Sequence, residues 1–173
     1  MIELEKTYLI KFLPQGLKNC KCSEIIDIYI PKSSLHPVLR IRENGSSFEM
    51  TKKQPVQGRD SSRQLEQTIV LSEREFKELE KVNGKRLHKI RFYYPYKGKT
   101  AEIDVFRGEL KGLVLVDVEF KTIEEKGSFR MPDFCLADVT QEKAFAGGML
   151  CGKLYKDIEK ELKKFRYSRL FLD

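Results

Sequence analysis

The chain has 173 residues, of which 40% are hydrophobic and 34% are charged, and its formal net charge is +7. This length favours a single domain over residues 1–173 and excludes two ordinary domains. No apolar stretch approaches the roughly 20 residues that cross a bilayer, and the charged, alternating first residues differ from a secretory signal. We therefore expect a cytoplasmic protein without a membrane partner.

The four cysteines do not form a zinc-binding pattern. A tetrahedral zinc site needs four nitrogen or sulfur ligands, whereas this chain has one closely spaced pair, Cys20 and Cys22, and only two histidines. We expect reduced, partly buried thiols.

The first segment has the pattern of a strand. Residues 2–10 alternate at period two, which places Glu3, Glu5 and Thr7 on one face. In chain order, the predicted strands cover residues 2–10, 24–30, 38–42, 48–53, 64–71, 85–94, 100–106 and 113–121. Their number and spacing are typical of a barrel or a sandwich with inserted helices, a mainly antiparallel α+β fold.

Turns and one helix separate these strands. Asn44 and Gly45 predict a hairpin turn, and residues 54–62 predict a polar loop. Ser72 and Glu75 have the capping-box spacing, which predicts a helix beginning at Ser72.

The last third of the chain has a helical pattern. Apolar residues recur at helical spacing over residues 141–166, in spite of Gly147 and Gly148. Acids and bases interleave over residues 153–169, which indicates a solvated amphipathic helix and not a nucleic-acid surface. A helical C-terminus is therefore predicted, and nucleic acid is disfavoured as a partner.

Charged residues recur in pairs, one residue apart, on strand after strand. The pairs are Glu3 and Glu5, Arg40 and Arg42, Lys89 and Arg91, Glu102 and Asp104, and Asp117 and Glu119, with Glu49 and Lys53 flanking Thr51. One such pair is most simply the solvated face of an antiparallel strand. Six strands of this kind are harder to explain in that way, because neighbouring like charges repel and gain nothing in water.

A sheet that closes on itself offers another interpretation of the charged pairs. Its apolar faces could pack outward against helices while its charged faces line the interior. Such an interior is costly unless a ligand occupies it. A triphosphate with Mg²⁺ or Mn²⁺ would satisfy both sets of charges, because arginine binds phosphate oxygens and carboxylates bind hard cations.

The order of these motifs resembles the CYTH family of triphosphate tunnel metalloenzymes over almost the full length. The family's Glu-x-Glu-x-Lys, Arg-x-Arg, Thr-x-Lys, Lys-x-Arg, Glu-x-Glu-Phe and Glu-Val-Thr segments look like Glu3–Thr7, Arg40–Arg42, Thr51–Lys53, Lys89–Arg91, Asp117–Phe120 and Asp138–Thr140. The segment from Ala101 to Leu113 is also similar to the family's strand-turn-strand. The resemblance implies a closed eight-stranded antiparallel barrel, a tunnel with flanking helices, that binds a triphosphate and requires divalent metal.

The resemblance also implies roles for individual residues. The basic residues expected to bind the triphosphate are Arg40, Arg42, Lys53, Lys89 and Arg91. The acids expected to hold Mg²⁺ or Mn²⁺ are Glu3, Glu5, Glu66, Asp104, Asp117, Glu119 and Asp138, and those expected to be catalytic are Glu3, Glu5 and Glu119. Glu102 could be a further ligand or a rim residue.

Three features depart from the family pattern. Thr7 stands in place of the first-strand lysine, and Lys6 cannot replace that lysine because period two turns it to the opposite face. Asp117 and Asp138 stand in place of glutamates. The Glu-x-Glu expected on the strand at 64–71 is reduced to Gln64-Leu65-Glu66.

These motifs predict a metal-dependent triphosphatase, with inorganic triphosphate as the first-choice substrate. Alternatives are a class IV-type adenylyl cyclase, a thiamine triphosphatase, and a triphosphate- or polyphosphate-binding module that has lost turnover. The sequence leaves a homodimer open.

Overall fold

The computed structural model describes residues 2–56 and 60–172. Nine strands are present in this part of the chain: β1 (Ile2–Ile10), β2 (Cys22–Ile30), β3 (Leu39–Asn44), β4 (Ser47–Pro55), β5 (Arg63–Leu71), β6 (Lys85–Tyr96), β7 (Lys99–Phe106), β8 (Val114–Phe120) and β9 (Cys135–Asp138). The α-helices are α1 (Glu73–Leu79), α2 (Ile123–Ser128), α3 (Gly147–Leu150) and α4 (Tyr155–Lys164). None of the helices in the described residues has the length and apolar character needed to cross a bilayer.

Eight of the strands form a closed antiparallel barrel. The strands are hydrogen-bonded in the order β5-β4-β3-β2-β6-β7-β8-β1. The barrel closes because Ile2–Leu4 of β1 pair with Arg63–Leu65 of β5. The other end of β1 pairs with β9 on the same edge. The predicted closed eight-stranded barrel with flanking helices is therefore confirmed.

The apolar faces of the strands point outward and are covered. Phe76 of α1 is fully buried against Ile28 of β2 and Ile41 of β3. The predicted capping box holds the start of α1, where the Glu75 N–H donates to the Ser72 hydroxyl at 3.3 Å. This helix covers one side of the barrel and leaves the opposite strand faces for the interior.

A larger apolar cluster covers the other side of the barrel. It joins outward residues such as Tyr8 of β1 and Val116 of β8 to Ile158 and Leu162 of α4. Phe129 makes tilted or edge-on contacts with several aromatic rings of this region, including Phe120 at 5.1 Å between centroids. The outer face is thus the hydrophobic core, an inversion of the usual small barrel.

Two short elements were not predicted. Strand β9 has only four residues and too short a pattern to recognise, and it forms because the edge of β1 is available there. Helix α2 has six residues and is capped by the Thr122 hydroxyl, which accepts from the Glu125 N–H.

The predicted helical stretch 141–166 is interrupted. A 3₁₀ turn and the short α3 precede α4, because the Gly147–Gly148 segment packs tightly against the barrel end. A Cβ on Gly148 would lie 2.3 Å from the Pro37 carbonyl oxygen, so only glycine fits there. The predicted loop 54–62 was wrong at its start, since β4 continues to Pro55, and residues 57–59 lie outside the described residues.

Tyr167 ties the C-terminal segment to the barrel. Its buried hydroxyl donates to the Gly112 carbonyl at 3.0 Å and accepts from the Val114 N–H at 2.8 Å.

We expect Tyr167→Phe to reduce the free energy of unfolding by about 1–3 kcal/mol, because a buried N–H loses its acceptor. Urea unfolding measures the change. In the control Tyr94→Phe, which removes an exposed hydroxyl 3.4 Å from the Gln15 carbonyl, the change should stay within about 0.5 kcal/mol. Equal effects of the two variants would contradict this role.

Candidate active site

The barrel encloses a charged cavity of about 440 Å³. Side chains of all eight barrel strands line it, and they include all but one of the predicted site residues. Those that line the cavity are Glu3, Glu5, Arg40, Arg42, Lys53, Glu66, Lys89, Arg91, Asp104, Asp117 and Glu119. The sequence analysis inferred that the charged faces of the strands point into the barrel, and the structure has them in this orientation.

Asp138 is the predicted site residue that does not line the cavity. Its side chain is exposed, and its Oδ1 accepts hydrogen bonds from the Thr140 N–H at 3.0 Å and the Thr140 hydroxyl at 2.5 Å. These contacts lie within the segment after β9, and that segment is joined to β1 by the Thr7 N–H, which donates to the Thr140 hydroxyl. The structure therefore places Asp138 apart from the other predicted metal ligands.

A compact ion-pair network occupies the β6–β7 side of the cavity. Arg91 binds the carboxylate of Asp104 in a bidentate manner, with both N–O distances at 2.7 Å. Lys89 contacts the same carboxylate, and Arg91 also contacts Glu102. Burial raises the pKa of Asp104, but Arg91 and Lys89 outweigh it and lower the pKa to about 2. These bases are already neutralised before any ligand enters.

Arg42 has a buried partner that the sequence analysis missed. Asp27 of β2 binds its guanidinium in a bidentate manner, at 2.6 Å and 2.9 Å, and is 1% exposed. Burial raises the pKa of Asp27, but Arg42 and Arg40 outweigh it and hold the pKa below its usual range. The available signal was the single acid within the apolar run Ile25–Ile30 of β2.

Arg40 differs from the other bases because no carboxylate of the described residues lies within ion-pair distance. Its Nε is buried without a hydrogen-bond partner. Burial lowers the pKa of Arg40, but Asp27 and Tyr29 outweigh it and raise the pKa above its ordinary value. This guanidinium therefore stays charged and can accept an anion inside the cavity.

The β1–β8 side of the cavity carries an acid cluster. Carboxylate oxygens of Glu3, Glu5 and Glu119 all lie within 4.8 Å of one another. Burial raises the pKa of Glu119, and Glu102 raises it further. Burial also raises the pKa of Asp117 to about 7, with Glu5 and Asp104 adding to the shift. Converging hard oxygen donors that repel one another suit Mg²⁺ or Mn²⁺.

Lys53 faces the acid cluster from β4. Its ammonium contacts Glu3 and lies 3.1 Å from the Glu66 carboxylate. Burial lowers the pKa of Lys53, but Glu5 and Glu3 outweigh it and raise the pKa. Its neighbour Lys52 is exposed, as the period-two pattern requires.

The raised pKa of Asp117, beside the acid cluster, predicts how the stability of the metal-free protein depends on pH. The folded pKa of Asp117 is about 7 against an ordinary 3.8, so only the folded chain takes up a proton between these values. The ionised Asp117 carboxylate therefore destabilises the folded chain fully above pH 7, and this destabilisation decreases as the pH falls and the carboxylate is protonated. Asp117 alone should add about 2–3 kcal/mol to the free energy of unfolding between pH 8 and pH 5. Asp104 opposes this only below about pH 4, where its lowered pKa applies.

Urea unfolding in a chelating buffer at pH 8, 6 and 5 checks this expectation. The variant Asp117→Asn has no such proton to take up, so its stability should rise less over the same range. A wild-type protein that is as stable at pH 8 as at pH 5 would contradict the raised pKa.

The fold and the site together define a class: a closed antiparallel barrel with a charged interior that combines an acid cluster with buried bases.

No family model matches the chain. The chain is similar to the inorganic triphosphatase of Nitrosomonas europaea, with 29% identity over 147 residues that cover 84% of this chain and 93% of the relative. It also resembles the inorganic triphosphatase of Acetivibrio thermocellus, with 30% identity over 73 residues, 42% of this chain and 46% of that relative.

Solved structures show the same fold. One is described as an inorganic triphosphatase; it has a TM-score of 0.63 and 26% identity, and the match covers 88% of this chain and 95% of the other. A putative adenylate cyclase from Bacillus halodurans has a TM-score of 0.54 and 16% identity over 99% of this chain and 93% of the other. The second likeness concerns the fold alone.

Proposed function

We propose that this chain is a CYTH-type triphosphatase that hydrolyses inorganic triphosphate in its barrel with Mg²⁺ or Mn²⁺. The observation that carries the proposal is the convergence of the acid cluster and five inward-facing bases on one cavity inside the barrel. The similarity to two proteins named inorganic triphosphatase supports the same activity.

The bases of the cavity have different roles in this proposal. Arg40 binds phosphate oxygens first, because among the five predicted bases it is the one without a carboxylate partner in the described residues. Lys53, Lys89, Arg42 and Arg91 add positive charge along the walls and hold the anion in register with the acid cluster. Their ion pairs keep the cavity intact before the substrate arrives.

The acid cluster is the proposed metal site. Glu3, Glu5 and Glu119 would hold Mg²⁺ or Mn²⁺, with Asp117 and Glu66 beside them. When bound, the metal supplies Lewis-acid polarisation of phosphoryl oxygens. Water attacks a terminal phosphorus, the phosphoanhydride bond breaks, and the products are orthophosphate and diphosphate. The closed wall limits the access of other water to this region.

Asp104 is a weaker candidate for the metal site. Its carboxylate is fully engaged by Lys89 and Arg91. We propose that it fixes the two bases, and that the metal uses the acids of β1 and β8. The cytoplasmic location and the oligomeric state remain predictions from the sequence.

Phosphate release from a panel of substrates tests the function. With inorganic triphosphate, orthophosphate should appear only when Mg²⁺ or Mn²⁺ is added. Cyclic AMP and diphosphate from ATP would instead favour a cyclase, and a strong preference for thiamine triphosphate would favour that substrate. Calorimetric binding of triphosphate without any product would indicate a binding module.

Matched variants locate the chemistry in the cavity. Glu5→Gln and Lys53→Met should each lower kcat/KM by roughly 10²–10³, because each removes charge that stabilises the transition state. Lys52→Met and Glu24→Gln change exposed residues on the outer surface and should retain activity. Full activity in Glu5→Gln or Lys53→Met, with folding intact by circular dichroism, would remove that residue from the proposed site.

A further inference from the structure

Thr7 is one of the cavity residues that depart from the family pattern, and the structure gives it a specific partner. It lies on β1 directly opposite Asp117 of β8. Its hydroxyl donates to Asp117 Oδ1 at 2.8 Å. The hydroxyl is neutral and brings no positive charge into the cavity, so its contribution is this hydrogen bond.

The backbone of Thr7 is held on its other edge by the segment after β9. The Thr7 N–H donates to the Thr140 hydroxyl oxygen at 3.0 Å, and the Thr7 carbonyl accepts from the Val139 N–H at 2.9 Å. The Thr140 hydroxyl hydrogen is engaged by Asp138 at 2.5 Å. Hydrogen bonds therefore lead from exposed Asp138 through Thr140 and Thr7 to Asp117.

Asp117 borders the acid cluster, and few groups orient it. Its Oδ1 accepts from Thr7, while the one contact of Oδ2 within the described part of the chain is a long one of 3.4 Å with Arg91. Its register partner Thr7 is two residues from Glu5, and Glu119 follows two residues after Asp117 on the same inward face. A carboxylate has about four lone-pair sites, so these two donors leave capacity for a cation.

We propose that Thr7 is a positioning residue that orients the Asp117 carboxylate toward the divalent cation held by Glu3, Glu5 and Glu119. Asp138 acts at the far end of the same hydrogen bonds and is not itself a ligand. The inference rests on the proposed metal site. Loss of a hydrogen bond to a ligating carboxylate typically costs 10–100-fold in metal affinity.

A pair of substitutions isolates the hydroxyl. Thr7→Val keeps the branched shape that suits a strand and removes the donor, whereas Thr7→Ser keeps the donor. The Mn²⁺ dissociation constant is measured by titration calorimetry on the full-length protein without substrate. We expect Thr7→Val to weaken Mn²⁺ binding by about tenfold or more and Thr7→Ser to stay close to the wild-type protein.

Two further measurements separate the explanations. Thermal melts of the metal-free variants show whether Thr7→Val stays folded, and the Mn²⁺ electron paramagnetic resonance spectrum reports a changed ligand environment that a purely structural role would leave alone. Wild-type affinity in Thr7→Val would overturn the positioning role and leave the proposed function standing if Glu5→Gln loses Mn²⁺. A wild-type protein that binds no Mn²⁺ would overturn both.

Discussion

Charges inside a closed barrel are tolerated only when each finds an opposite partner or a ligand, and this constraint governs the structure. Arg42 is neutralised by Asp27, and Arg91 by Asp104, through bidentate contacts that no solvent could replace at that depth. Arg40 on one side, and Glu5 and Glu119 of the acid cluster on the other, have no ion-pair partner among the described residues. They lie in one cavity, so a ligand that is both anionic and metal-bound would balance both at once.

The same charges also help to close the barrel. Among the described residues, three of β1 pair with β5, a short seam for a closed sheet. Lys53 of β4 contacts Glu3 of β1 across β5 and also contacts Glu66 of β5 itself. The site and the seam therefore share residues, which couples ligand binding to the integrity of the barrel.

The outward core makes this interior possible. Helix α1 and the apolar cluster around α4 cover the strands from outside, so the fold does not need an apolar interior. The proposed function follows from this inversion together with the similarity to inorganic triphosphatases. At Thr7 the family pattern has a lysine, and here the hydroxyl binds Asp117 instead while the surrounding strands of the barrel are retained.

Much of the fold and most of the site could be predicted from local pattern. Period-two alternation in β1, β3, β6 and β8 decided which charges share a face, and this depends only on the pleat of a strand. Strand β9 and helix α2 could not be predicted, because four and six residues carry too little pattern and form on surfaces that the barrel supplies.

The sequence by itself determined where the eight barrel strands lie along the chain, which residues share a face of each strand, and the charges that each face carries. Tertiary structure alone decided that Asp27 neutralises Arg42, that Asp138 lies outside the cavity, and that Thr7 meets Asp117. The physical reason is register: the Asp27–Arg42 and Thr7–Asp117 contacts join strands 15 and 110 positions apart, so they depend on how the strands align in the barrel and not on local spacing.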